Sequence, residues 1–146
     1  MKRILLLSIV ILAVCFLFFK EEEIRIRVVA NSDNPVDIKE KEEVVDYLKN
    51  HILQDKKIDD EYLSNNYLMI EKELNKVFDN IKVSYENHTF YNKTYNGSVL
   101  ADGTYKTLLI EIENGSGSNW WSSVYGGKIH DGEEVNYQWF FQLDGE

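Results

Sequence analysis

Cysteine occurs once in this chain, as Cys15, and it lies inside an apolar run near the N-terminus. The rest of the chain can therefore form no internal disulfide and must fold on its hydrophobic core alone. Basic residues are also scarce: 16 Lys and Arg stand against 25 Asp and Glu, a formal net charge of −9. With Lys2 and Arg3 set aside, the remainder carries about −11, a surface on which every phosphate contact would work against the field. Nucleic acid is excluded as a partner on that ground. The spacings that carry catalysis are missing too: there is no G-x-S-x-G, H-E-x-x-H, C-x-x-C or P-loop. The three histidines, His51, His88 and His130, are scattered and read as surface or loop residues. No metal site, cofactor or small-molecule substrate is implied. Asp131-Gly132-Glu133-Glu134 reads as a turn and the acids from Asp37 to Asp46 as a solvated helix face. A hydrolase built on His130, Asp131 and a serine has no activating pattern to support it.

What is present begins with Lys2-Arg3, followed by apolar residues from Ile4 to Phe19 broken only by Ser8, then Lys20-Glu21-Glu22-Glu23. Such a run would span about 24 Å as a helix, between a secretory core and a full membrane span. No small-x-small cleavage pattern follows, so an uncleaved anchor is the better reading, with the N-terminus in the cytoplasm and everything from Lys20 outside. The domain division that follows is an anchor or signal over residues 1–20 and one extracytoplasmic domain over residues 21–146. Four Asn-x-Ser/Thr sequons are present, as chance provides in a chain this rich in Asn.

Along that domain, Ile24 to Ala30 alternates with period two, Arg25 and Arg27 facing away from Ile24, Ile26 and Val28, which predicts a half-buried strand. Asn34 can cap a helix whose first turn holds Pro35 and Asp37 and which runs to about Gln54. Its apolar stripe is Ile38, Val45, Leu48 and Ile52, with Val44 beside it. After a polar break over residues 55–60, Leu63, Tyr67, Ile70, Leu74, Val77 and Ile81 recur at helical spacing, predicting a second helix beside the first. From Ile81 the pattern turns β-rich, through a turn at Asn96-Gly97, a strand from Thr104 to Ile112 and a short closing strand over residues 137–141. The predicted class is α+β, with two amphipathic helices on a mostly antiparallel sheet.

The stretch that points to function is Asn114-Gly115-Ser116-Gly117-Ser118-Asn119-Trp120-Trp121. Neighbouring residues of a strand point to opposite faces, so one indole can enter a core while the other meets a partner. Ile24 to Asp33 followed by Pro35, then Val44-Val45-Asp46, resembles the start of the stage II sporulation protein R family. Phe90, Lys93, Tyr95, Gly103-x-Tyr105 with Leu108 and Ile110, and Gly115-x-Gly117-x-Asn119-Trp120-Trp121 continue the likeness in order, to about Tyr125. The resemblance implies a non-catalytic sporulation signal, exported from the forespore into the space between two membranes. There it would activate a membrane-embedded aspartic protease, with Asn31, Asp33, Tyr105, Asn119, Trp120 and Trp121 as candidate partner-binding residues. Where the family usually has a cysteine and then a Phe-Pro-Pro-Leu-Cys type segment, this chain has Ser122 to Ile129, so neither disulfide nor rigid segment carries over. A different class of function, a wall- or glycan-binding module, would use Trp120, Trp121, Tyr125 and Trp139 as stacking platforms.

Overall fold

The computed structural model describes residues 23–91, 93–95, 98–100 and 102–131. The apolar run at residues 4–19 and the closing strand expected over residues 137–141 lie outside them. Among the described residues no helix is long and apolar enough to cross a membrane.

The alternating stretch forms β1 (Ile24–Val29). Asn34 then stays extended and its side-chain oxygen accepts from the Val36 N–H at 3.0 Å, which starts α1 (Pro35–Tyr47) with Pro35 in its first turn. The helix passes into a π turn (Leu48–Ile52), where the Leu53 N–H donates to the Leu48 carbonyl at 2.9 Å. The helical course therefore stops short of Gln54. Leu48, Ile52 and Leu53 are all buried in and just after that turn.

The break before the second helix is less polar than its composition indicates. Ile58 is buried there, and its N–H donates to the Gly127 carbonyl at 3.1 Å. Asp59 caps α2 (Asp60–Leu74) by accepting from the Tyr62 N–H at 2.9 Å. Leu63, Ile70 and Leu74 are buried and Tyr67 packs against them, whereas Val77 lies past the helix end and is 54% exposed. Asn75 ends that helix and starts the next strand: its amide donates to the Glu71 and Ile81 carbonyls, and its oxygen accepts from the Ile81 N–H. Five strands follow these helices in a compact series: β2 (Ile81–Phe90), β3 (Lys93–Tyr95), β4 (Ser98–Leu100), β5 (Gly103–Ile112) and β6 (Asn119–Tyr125). The last described strand is β7 (Lys128–Asp131).

The architecture is α+β, two helices on a five-stranded mixed sheet of order β2-β5-β1-β6-β7, with β3 and β4 paired separately. Three neighbouring pairs are antiparallel, and β1 with β5 is parallel. Both helices and the β2 return separate β1 from β5, so β5 enters from the same end as β1. Ile26, Val28, Leu108 and Ile110 meet Val44, Leu48, Leu63 and Ile70 across the helix-covered face. The expectation of a half-buried first strand is corrected by the topology. β1 lies in the middle of the sheet, and Arg25, on the face away from the helices, is only 3% exposed.

Candidate functional site

Beyond the carboxyl end of β1, two loops more than 80 residues apart in sequence lie against each other. Gly117 donates its N–H to the Ala30 carbonyl at 2.8 Å, Ser116 to the Asn31 carbonyl at 3.1 Å, and Ala30 to the Ser118 carbonyl at 3.0 Å. Side chains tighten the same seam. The Asp33 carboxylate accepts from the Ser118 N–H at 2.7 Å, and the Asn31 side-chain oxygen accepts from both the backbone and the amide of Asn114 at 3.3 Å. Asn31 and Ser32 in turn donate to Asp37 in the first turn of α1, and the buried Lys41 reaches from that helix to the Ser118 hydroxyl at 3.1 Å.

The glycines of the second loop are there for geometry. Gly115 has φ +56°, a region costly for residues with a Cβ, and a Cβ at Gly117 would overlap the carbonyl of Ser32. Glu113 also takes a left-handed conformation, and its N–H donates to the Asn80 carbonyl at 2.9 Å. Carboxylates crowd this end. Burial first, then Glu113, Asp37, Glu43 and Asp79, push the Glu40 carboxyl above its ordinary range. Beside the seam lies an open polar cleft of about 610 Å³ lined by Asn75, Asn80, Ile81, Lys82, Glu113 and Asn114.

The two tryptophans follow directly, in β6. Trp120 pairs with Val28 and Trp121 with Arg27, so their side chains leave opposite faces of the sheet. Trp120 is partly buried against the helix-side core, with the Lys49 ammonium 6.0 Å from its ring centre. Trp121 is 6% exposed and joins Phe90 and Tyr105 on the other face. There the Arg25 guanidinium lies 4.5 Å from the Tyr105 ring and 5.5 Å from that of Trp121, donates to Ser123 and pairs with Glu23 at 2.8 Å. The serine hydroxyls of this strand are occupied in other ways than nucleophile activation: Ser122 donates to the His130 backbone carbonyl at 2.8 Å, while the His130 ring stacks on Tyr125. His88 and His130 are strand residues, not loop residues.

The family model for stage II sporulation protein R matches residues 20–127. The chain belongs to the stage II sporulation protein R family. It is similar to stage II sporulation protein R of Bacillus subtilis (strain 168), 26% identical over 117 residues, which take in 72% of this chain and 52% of that protein. The chain thus spans about half the length of this curated relative. No solved structure matches it.

The match to the stage II sporulation protein R family runs from just before β1 through the Gly126-Gly127 turn. It includes both sides of the seam. Of the six sequence-predicted residues, Asn31 and Asp33 are in the seam itself, Asn119 opens β6 opposite Val29, and Trp120 stands next to it. Trp121 and Tyr105 lie apart from these, packed together on the helix-free face. Residue-by-residue reading missed Lys41, Arg25 and Asp37. Lys41 had a usable signal: it falls between Ile38 and Val45 on the apolar stripe, where a lysine is out of place unless it has a partner.

Proposed function

We propose that this chain is an exported sporulation signal, without catalysis of its own, that activates a membrane-embedded aspartic protease of the SpoIIGA type. That protease would then process the precursor of sigma factor E. Membership of the family makes the role a sporulation role. The observation that carries the finer reading is the seam, where family-like stretches around Asn31-Ser32-Asp33 and Gly115-Ser116-Gly117 meet in one hydrogen-bonded surface next to a partly buried tryptophan. A surface built by hydrogen bonds and glycine contacts, with its charged groups used to hold loops, suits recognition better than bond-making.

Trp120 is the ring available to a partner, and Trp121 the one committed to the fold. Co-expression with the protease and precursor sigma factor tests this. Trp120→Ala should keep its circular dichroism and lose about 2 kcal/mol of binding, roughly a thirtyfold loss read as slowed precursor cleavage. Trp121→Ala should lose folding instead. Wild-type cleavage by a folded Trp120→Ala variant would remove the tryptophan from the signalling surface. Sugar stacking finds less support, since Trp121 is buried and Tyr125 already stacks on His130 with ring centres 3.7 Å apart; a pull-down on purified peptidoglycan separates the two classes.

A further inference from the structure

β5 ends at Ile112 and β6 begins at Asn119, so the sheet holds both ends of the loop between them and not its middle. The middle is held by the seam and, behind it, by α1. Lys41 lies in that helix, buried with Val44 and Val45 at 8% exposure, a place where a lysine stem packs well and its ammonium must be led out to a partner. No carboxylate pairs with it among the described residues; its Nζ donates to the Ser118 hydroxyl at 3.1 Å. One helical turn earlier, on the same face, Asp37 accepts from the side chains of Asn31 and Ser32. One edge of α1 thus grips both sides of the seam. We propose that Lys41 is a positioning residue of the signalling surface: through Ser118 it sets the loop over residues 113–118 in register with Asn31-Ser32-Asp33, beside Trp120. The inference rests on the function proposed above.

The two sides of the seam need different help. Asn31 to Asn34 run straight from β1 into α1 and are placed by both. Ser118 is 77 residues from Lys41, and among the described residues no other side chain of α1 is hydrogen-bonded to its loop. The Ser118 backbone is tied as well, its N–H to Asp33 and its carbonyl to the Ala30 N–H. With the hydroxyl held too, the residue has three fixed points in place of two, and the loop one fewer way to turn. A purely structural lysine would show itself in stability. This one should not: Met has nearly the same length, suits an apolar stripe and carries no charge to bury. Ser118 is exposed, so its hydroxyl can turn to water and no buried group is stranded.

Lys41→Met, Ser118→Ala and the double variant of the full chain test this in two arms. In the first, without protease, denaturant midpoints should stay at or above the native value while the amides of Ser116, Gly117 and Ser118 exchange about tenfold faster, the double variant no faster than either single one. Native exchange rates, additive effects, or a midpoint that falls in step with the exchange overturn the positioning role. If Lys41→Met does not fold, Ser118→Ala decides the same point. In the second arm, co-expression with the protease and precursor sigma factor should show cleavage slowed about three- to tenfold, less than the roughly thirtyfold expected when Trp120 is removed. Wild-type cleavage by variants with a loosened seam overturns the link to signalling if Trp120→Ala is slowed beside them. If Trp120→Ala also cleaves at the wild-type rate, the signalling surface itself is overturned, and the proposed function with it.

Discussion

The two faces of the sheet are both covered, and by different physics. On the helix side, Ile24, Ile26, Val28, Leu108, Ile110 and Ile112 meet aliphatic side chains of both helices, and stability comes from apolar area removed from water. On the other side, the same central strands bury Arg25, Thr107 and Ser123 beside Trp121 and Phe90. There a charge is kept out of water by an ion pair, a hydroxyl and two aromatic rings. The first face should tolerate changes of shape that keep volume, while the second should tolerate changes that remove charge cleanly and punish those that leave a partner behind.

The largest effect expected follows from that contrast. Arg25→Ala strands Glu23 and opens a gap between Tyr105 and Trp121, and should cost about 3–5 kcal/mol, whereas Arg25→Met combined with Glu23→Gln removes both charges, fills the space and should cost markedly less. Denaturant midpoints of the single and double variants measure the difference; equal losses would mean that removing the charge pair together brings no relief on the helix-free face. On the aliphatic face, Leu48→Ala should cost about 2–5 kcal/mol, because Leu48 is fully buried in the π turn. A shift below about 0.5 kcal/mol, the range of a surface change, would break the comparison from the other side.

Gly117→Ala bears on the edge where the two faces end. Its Cβ overlaps the Ser32 carbonyl, so the loops must part at a cost of about 1–3 kcal/mol, with precursor cleavage falling more than global stability if the seam is the signalling surface. The smallest effect belongs to Asp60, where hydrogen bonds from Lys106 first, at 2.7 Å, and from Tyr85 hold the carboxyl below its usual range. A group with a lowered folded pKa stabilises above its unfolded value near 3.9 and loses that contribution as pH falls through the folded value. With Asp60 and Lys106 about two-fifths exposed, the contribution should be only a few tenths of a kcal/mol. Stability measured between pH 5 and pH 2 should therefore fall slightly less for Asp60→Asn than for the native chain.

Much of this was legible in the residues themselves. Period-two alternation marked β1, Asn34-Pro35 marked the start of α1, helical spacing placed Leu63, Ile70 and Leu74 on one face, and the adjacency of Trp120 and Trp121 sent their rings to opposite sides. These are local properties, set by dihedral geometry within a few residues. What a neighbour in space decides could not be read the same way. Alternation alone cannot say whether a strand lies at an edge or in the middle of a sheet, and so Arg25 and Arg27 read as facing water. Only the parallel pairing of β1 with β5, reached after two helices and a returning strand, put the Arg25 side chain under cover. The seam is of the same kind: Asp33 and Ser118 are 85 residues apart, and the need for glycine at 117 arises from the Ser32 carbonyl that the fold brings against it.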